Sequence, residues 1–168
     1  MKREQTCCFT GHRPEKLPWG TDETDPRCAA LKTRILDAVE TAYDSGMRLF
    51  YCGMARGCDF YFAEAVLALR GERSGMKLAA VVPCLSQARY WPSADQLRWR
   101  EILDACDGET LIQEAYTAGC MMRRNRYMVD HSALLIAASS GQKGGTLRTL
   151  EYALRKKINI MDIFIQSD

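Results

Sequence analysis

Two hydrophobic rhythms alternate along this chain. Six short segments read as strands: Gln5 to Thr10, Arg48 to Cys52, Lys77 to Val82, Glu109 to Ile112, Ala133 to Ala138 and Asn159 to Ile165. Between them lie longer stretches whose apolar residues return every three or four positions, the period of a helix with one buried face. Cys28, Leu31, Ile35, Val39 and Ala42 set that period for Pro26 to Ser45, with Asp25-Pro26 as its start signal and Gly46 as its stop. Further helices are predicted over Asp59 to Arg70, Asp95 to Cys106, Met121 to His131 and Gly145 to Lys157, the last with Leu147, Leu150 and Leu154 facing inward. Glu64 is the only charge between Asp59 and Arg70. Such a helix is buried on more than one side, which leaves room for a second copy of the chain as its cover.

Continuous apolar strands alternating with helices predict an α/β fold. The expected architecture is a Rossmann-like three-layer sandwich with a mostly parallel central sheet. At 168 residues the chain fits a single domain spanning 1–168, able to bury roughly 70% of its unfolded surface. In such sheets ligands sit beyond the carboxyl ends of the strands. The segments predicted there are Thr10 to Pro14, Gly53 to Asp59, Pro83 to Trp91 and Ser139 to Thr146, all rich in Gly, Pro, Arg or aromatic residues.

Composition narrows the function classes. The formal net charge is +2, so non-specific nucleic-acid binding is disfavoured, and no basic run exceeds Arg123-Arg124. No apolar stretch approaches the ~20 residues that cross a bilayer, and the first residues lack a signal-peptide core. A cytoplasmic location is expected. The eight cysteines form no C-x-x-C pair and accompany only two histidines. That pattern fits neither a zinc site nor a disulfide framework, so most are read as small buried hydrophobes. No metal and no required cofactor are expected.

Two glycine-rich turns carry the candidate chemistry. Tyr51-Cys-Gly-Met-Ala-Arg-Gly-Cys-Asp59 joins a strand to a helix, and Ser139-Ser-Gly-Gln-Lys-Gly-Gly-Thr146 does the same later. Glycines there let backbone N–H groups approach a ligand, and a helix start favours an anion. Gly53 and Gly57 would open the first loop, Arg56 would neutralise a phosphate, and Asp59 would cap the helix or orient a ribose hydroxyl. Gly144, Gly145 and Thr146 form the matching turn. Thr10 and Gly11 end the first strand, Arg13 can grip an anion bidentately, and His12 is read as a hydrogen-bonded ligand contact rather than a proton carrier. Arg124 and Met128 share a helix face, while Arg126 is placed to pair with Asp130. Trp91 is the residue selected to stack on a base, in preference to Trp99.

Together these segments resemble the SLOG superfamily, a Rossmann-like group that includes DprA and the LOG phosphoribohydrolases, and within it the YpsA-like branch. The resemblance runs from about Cys8 to Ile165. It rests on Phe9 to Pro14, Cys52 to Asp59, Pro83-x-x-x-Gln87-x-x-x-Trp91, Arg124-Asn-Arg126 with Met128, and Gly144-Gly-Thr146. It implies a nucleotide or nucleotide-derived ligand across the strand ends, and adds Met54, Ala55, Pro83 and Asn125 to the expected contacts. Asn125 stands where LOG enzymes carry lysine and agrees with the DprA-like Arg-Asn-Arg. The LOG carboxylate, two residues after the Thr of the turn, is here Arg148.

The leading expectation is a nucleotide-binding sensor or regulatory protein with no assigned catalytic residue. A nucleoside-monophosphate phosphoribohydrolase using a relocated carboxylate, Asp59 or Glu64, is the enzyme alternative. DprA-like binding of single-stranded DNA is the third. Partners are therefore a small nucleotide, with a homodimer left open.

Overall fold

The computed structural model describes residues 1–167. Six strands, β1 (Thr6–Gly11), β2 (Leu49–Cys52), β3 (Lys77–Val82), β4 (Gly108–Leu111), β5 (Leu134–Ser139) and β6 (Asn159–Phe164), form one sheet in the order β4-β3-β2-β1-β5-β6. Every adjacent pair is parallel. Five helices connect them: α1 (Pro26–Asp44), α2 (Cys58–Arg70), α3 (Ser93–Ala105), α4 (Cys120–Asp130) and α5 (Gly145–Lys156). Each predicted element is present. α1 starts as read, with Asp25 accepting from the Arg27 N–H at 2.8 Å and Pro26 in the first turn.

Alternation along the strands sorts side chains into two cores. Cys7, Phe9, Phe50, Leu78 and Ile136 face α1, α2 and α3, and the Phe9 and Phe62 rings stack at 4.6 Å. Cys8, Val81, Leu135 and Ala137 face α4 and α5 through Met128, Val129 and Ala153. Consecutive Cys7 and Cys8 thus serve opposite layers, as strand geometry requires. All cysteines are unpaired, and burial pushes the Cys8 thiol up to about 12, far from reactive thiolate.

Two details of packing depart from the sequence reading. α2 is buried on the sheet and flanked by α1 and α3 of the same chain, so its apolar surface gives no reason for a second copy. α5 turns Thr146, Thr149 and Ala153 inward, while Leu154 is 59% exposed. Leu150 packs partly buried against the second core, as read.

The strand order places the site. Chain progress runs outward from β1 through β2 and β3 to β4, then returns to β5 on the other side of β1. The connections leaving β1 and β5 therefore diverge, opening a crevice at their carboxyl ends.

Candidate functional site

A cleft of about 390 Å³ occupies that crevice. Thr10, Gly11, His12 and Arg13 reach it from the end of β1, Ala55 and Asp59 from the β2–α2 turn, and Arg124 and Asn125 from α4. Gly145, Thr146 and Arg148 line it from the start of α5. Three of the four segments predicted to converge do so.

Its floor is a relay of hydrogen bonds. The Arg124 guanidinium donates to the Gly53 carbonyl and, through Nε, to Asn125 Oδ1 at 2.6 Å. Asn125 Nδ2 donates to Thr149 Oγ1 at 2.8 Å, which donates to the Gly145 carbonyl at 2.8 Å. On the other side Gln87 Nε2 donates to the same Gly53 carbonyl at 3.0 Å and Trp99 Nε1 donates to Gln87 Oε1 at 3.2 Å. One chain of contacts thus fixes the turns after β2, β3 and β5 to α4. A Cβ at Gly53 would lie 2.6 Å from the Arg124 Nη1, so only glycine admits this arginine.

Asp59 shares that buried region. It is not the helix cap: Gly57 holds that position, and Asp59 Oδ2 accepts from the Ala55 N–H at 3.0 Å. Burial pushes the Asp59 carboxyl above the usual carboxylate range, against the opposing pull of Arg124. Burial likewise lowers the Arg124 guanidinium from its ordinary value, and Asp59 is the charge that opposes this. The two are each other's nearest compensation in a dry environment.

The β2–α2 turn consequently does less for an anion than its glycines implied. The Cys58 N–H donates to the His12 carbonyl at 3.1 Å, Ala55 to Asp59 and Met54 to Cys52 Sγ, so three of the turn's donors are already spent. Gly57 is needed for another reason. Its φ is +80°, and a Cβ there would meet the His12 carbonyl oxygen at 2.8 Å. Arg56 does not line the cleft; its guanidinium is held by Asp95 at 2.7 Å and by Glu15, on the cleft wall, at 3.1 Å.

The α5 turn behaves differently. Gly144, at φ +152°, brings the chain in with no side-chain cap on the helix. Beside it the guanidiniums of Arg13 and Arg148 have no hydrogen-bond or ion-pair partner among the described residues. Lys16 completes the rim, its Nζ donating to the Lys143 carbonyl. The cleft carboxylates are Glu15, already paired, and Asp59, held toward its neutral form. The site is electropositive.

His12 ties the two turns together. Its Nε2 accepts from the Ser140 N–H at 2.9 Å, which assigns the ring proton to Nδ1, a buried atom without a partner. Burial, helped by Lys16, lowers its pKa from the ordinary histidine value. Protonating Nε2 would cost the Ser140 N–H its acceptor and leave only the Ser140 hydroxyl, at 2.9 Å, to take the new proton. Stability is therefore expected to be full above the unfolded pKa of about 6.5 and to fall as pH drops from there through the lower folded value. Equilibrium unfolding at about pH 7 and about pH 5 checks this. A His12→Gln variant that loses as much stability as the parent over that interval would exclude His12 as the cause.

Other predicted contacts lie elsewhere. Met54 is wholly buried at φ +62°, Pro83 is buried, and Met128 belongs to the second core. Trp91 packs edge-on against Phe60 at 6.0 Å and does not line the cleft. Asp130 is taken by Lys156 at 3.0 Å and the Tyr152 hydroxyl, and Arg126 lies over the Tyr152 ring instead. Sequence reasoning missed Lys16, Met121 and Met122 on the rim and Thr149 in the floor. The Arg13-Pro-Glu-Lys16 spacing was the available signal for Lys16, because both basic side chains flank one short 3₁₀ turn (Pro14–Lys16).

The profile of the YspA SLOG family matches residues 7–166. This chain belongs to that family. Among its relatives, the SPbeta prophage-derived protein YoqJ of Bacillus subtilis is 28% identical over 143 residues, covering 77% of this chain and 83% of YoqJ. A UPF0398 protein of Halalkalibacterium halodurans is 26% identical over 131 residues, covering 76% of this chain and 67% of that protein. DprA of Streptococcus pneumoniae has the same fold at a TM-score of 0.62 and 17% identity, covering 95% of this chain but 50% of DprA. DprA of Helicobacter pylori, studied for its single-stranded DNA binding mode, aligns at 0.64 and 17%, covering 96% and 65% respectively. This SLOG chain thus spans only part of the DprA length.

Membership sharpens the meaning of Arg148. In the pattern implied by LOG resemblance a carboxylate occupies this place, yet here a cation lines the cleft. Of the two substitutes considered, Glu64 is engaged by Arg98 at 2.7 Å and does not line the cleft; Asp59 does. Among the described residues no group of three or more His, Cys, Asp or Glu side chains is arranged to hold a metal, and no helix is long and apolar enough to cross a membrane.

Proposed function

We propose that this protein binds a nucleotide or nucleotide-derived ligand, phosphate first, in the crevice between β1 and β5, and serves as a sensor or regulatory protein. One observation carries this reading: Arg13 and Arg148, with no hydrogen-bond or ion-pair partner among the described residues, line the cleft with Lys16 at an uncapped helix start. Unpaired guanidiniums beside free N–H groups suit phosphate oxygens, which accept several charge-assisted hydrogen bonds at once. The cleft volume is in the range of small-ligand sites.

Binding is favoured over N-glycosidic hydrolysis on chemical grounds. Departure of the base builds positive charge on the ribose, which calls for a nearby anion. Here the corresponding position is cationic, and burial holds Asp59 toward the neutral acid. The fold shared with DprA keeps single-stranded DNA as the second reading.

Thermal unfolding with AMP, GMP and ADP-ribose tests the proposal. Ligand at a hundredfold excess over Kd is expected to add about 2.7 kcal/mol of stability. The same mixtures, analysed by chromatography, are expected to contain no free base. No stabilisation by any phosphate-bearing compound would defeat the binding reading, and released base would replace it with the hydrolase.

A further inference from the structure

Beyond Met121, which lines the phosphate cleft, a second hollow of about 550 Å³ opens on the same edge of the sheet. Its walls are Ser86, Gln87, Arg89 and Tyr90 from the β3–α3 connection and Tyr116 from the β4–α4 connection. Tyr90 is 87% exposed and Tyr116 63%, although most large rings of this protein pack inside. Two exposed rings lining one hollow offer faces on which a flat group can stack.

The hollow is built rather than loose. The Leu85 N–H donates to the Glu114 carbonyl at 3.1 Å, tying one tyrosine-bearing connection to the other. Gln113 Nε2 donates to the Ala115 carbonyl at 2.7 Å and to Thr117 Oγ1 at 2.9 Å, which folds the segment around Tyr116. Gln87 is anchored to the cleft floor through Gly53. The Arg89 guanidinium lies 5.5 Å from the Tyr90 ring centroid, a cation beside an aromatic face, and no carboxylate lines the hollow. A flat, π-bearing group attached to phosphate matches such a surface.

We propose that this hollow is a second nucleobase subsite, so that the ligand carries two nucleosides joined through phosphates. The phosphates would lie at Arg13, Lys16 and Arg148, one nucleoside in the cleft and the other base against Tyr90 and Tyr116. This rests on the phosphate-binding reading above and names its ligand class: a dinucleoside polyphosphate.

Calorimetric titration of the full chain with ATP, diadenosine tetraphosphate and oligothymidylate tests it. Diadenosine tetraphosphate is expected to bind about tenfold or more tighter than ATP, the factor one stacked base supplies. Replacing Tyr90→Ala together with Tyr116→Ala is expected to erase that advantage and leave ATP affinity unchanged. Both side chains are exposed, so folding is not at stake. Equal affinity for ATP and diadenosine tetraphosphate, or an unaltered advantage in the double variant, would overturn the second subsite while phosphate binding stood. Tighter binding of oligothymidylate would replace it with a strand-binding groove, and failure of all three probes would remove the phosphate reading as well.

Discussion

Arg13→Ala combined with Arg148→Ala is expected to weaken binding of a phosphate-bearing ligand by about a hundredfold or more. Hydrogen bonds to a charged group contribute about 1.5–3 kcal/mol each, or roughly tenfold to more than a hundredfold per arginine. Neither guanidinium supports the folded chain through a hydrogen bond or ion pair among the described residues, so the melting temperature of the unliganded variant should stay near that of the parent. Arg56→Ala supplies the contrast. Its side chain is spent on Asp95 and Glu15, and its removal should leave affinity intact. Titration calorimetry at two salt concentrations measures both, because exposed charge contacts weaken as salt rises. Wild-type affinity in the double alanine variant would move the anion site elsewhere.

Arg124→Ala should have the largest effect on stability. It takes away the cation that opposes the burial of Asp59, removes one of two donors to the Gly53 carbonyl, and leaves Asn125 Oδ1 without Nε. A buried acceptor left unsatisfied costs about 1–3 kcal/mol and the cavity left by the side chain adds to it, about 3 kcal/mol or more together. For a chain of this size that is a fall of roughly 10 °C in melting temperature. Arg124→Lys should recover little, since an ammonium cannot serve both acceptors from one plane. Adding Asp59→Asn to Arg124→Ala should restore part of the loss, because the buried ionisable group that Arg124 offsets is gone. A single Arg124→Ala variant that melts within a degree or two of the parent would show that the relay carries no such energy. Its affinity for nucleotide should also fall, through displacement of the Gly145 turn at the far end of the relay.

These two arginines show where sequence reasoning reached its limit. Arg56 looked like the phosphate ligand because it sits between two glycines at a helix start. Which way its side chain turns depends on Asp95, thirty-nine residues later, and Glu15, forty-one earlier. Arg148 looked like a broken catalytic position and proves to be a cleft cation. Its place in the loop after β3 makes Trp91 the stacking candidate in sequence. The neighbouring Tyr90 is the exposed ring, because Phe60 of α2 offers Trp91 an apolar edge.

The alternation of strands and helices, their approximate bounds and the parallel class of the sheet were all legible in the sequence, since each depends on local periodicity and on turn residues such as Asp25-Pro26. So was the shared edge on which Thr10 to Arg13 meets Gly145 and Thr146, since strand ends in a parallel sheet point one way. Strand order was not legible. It fixes β1 beside β5, and hence the crevice, through packing between residues more than a hundred positions apart. Nor could the sequence separate side chains with the same chemistry and different partners: Arg124 buried as a structural cation, Arg56 spent in ion pairs, Arg13 and Arg148 left for a ligand. Charge is a property of the residue, but its availability is set by what the fold brings within reach.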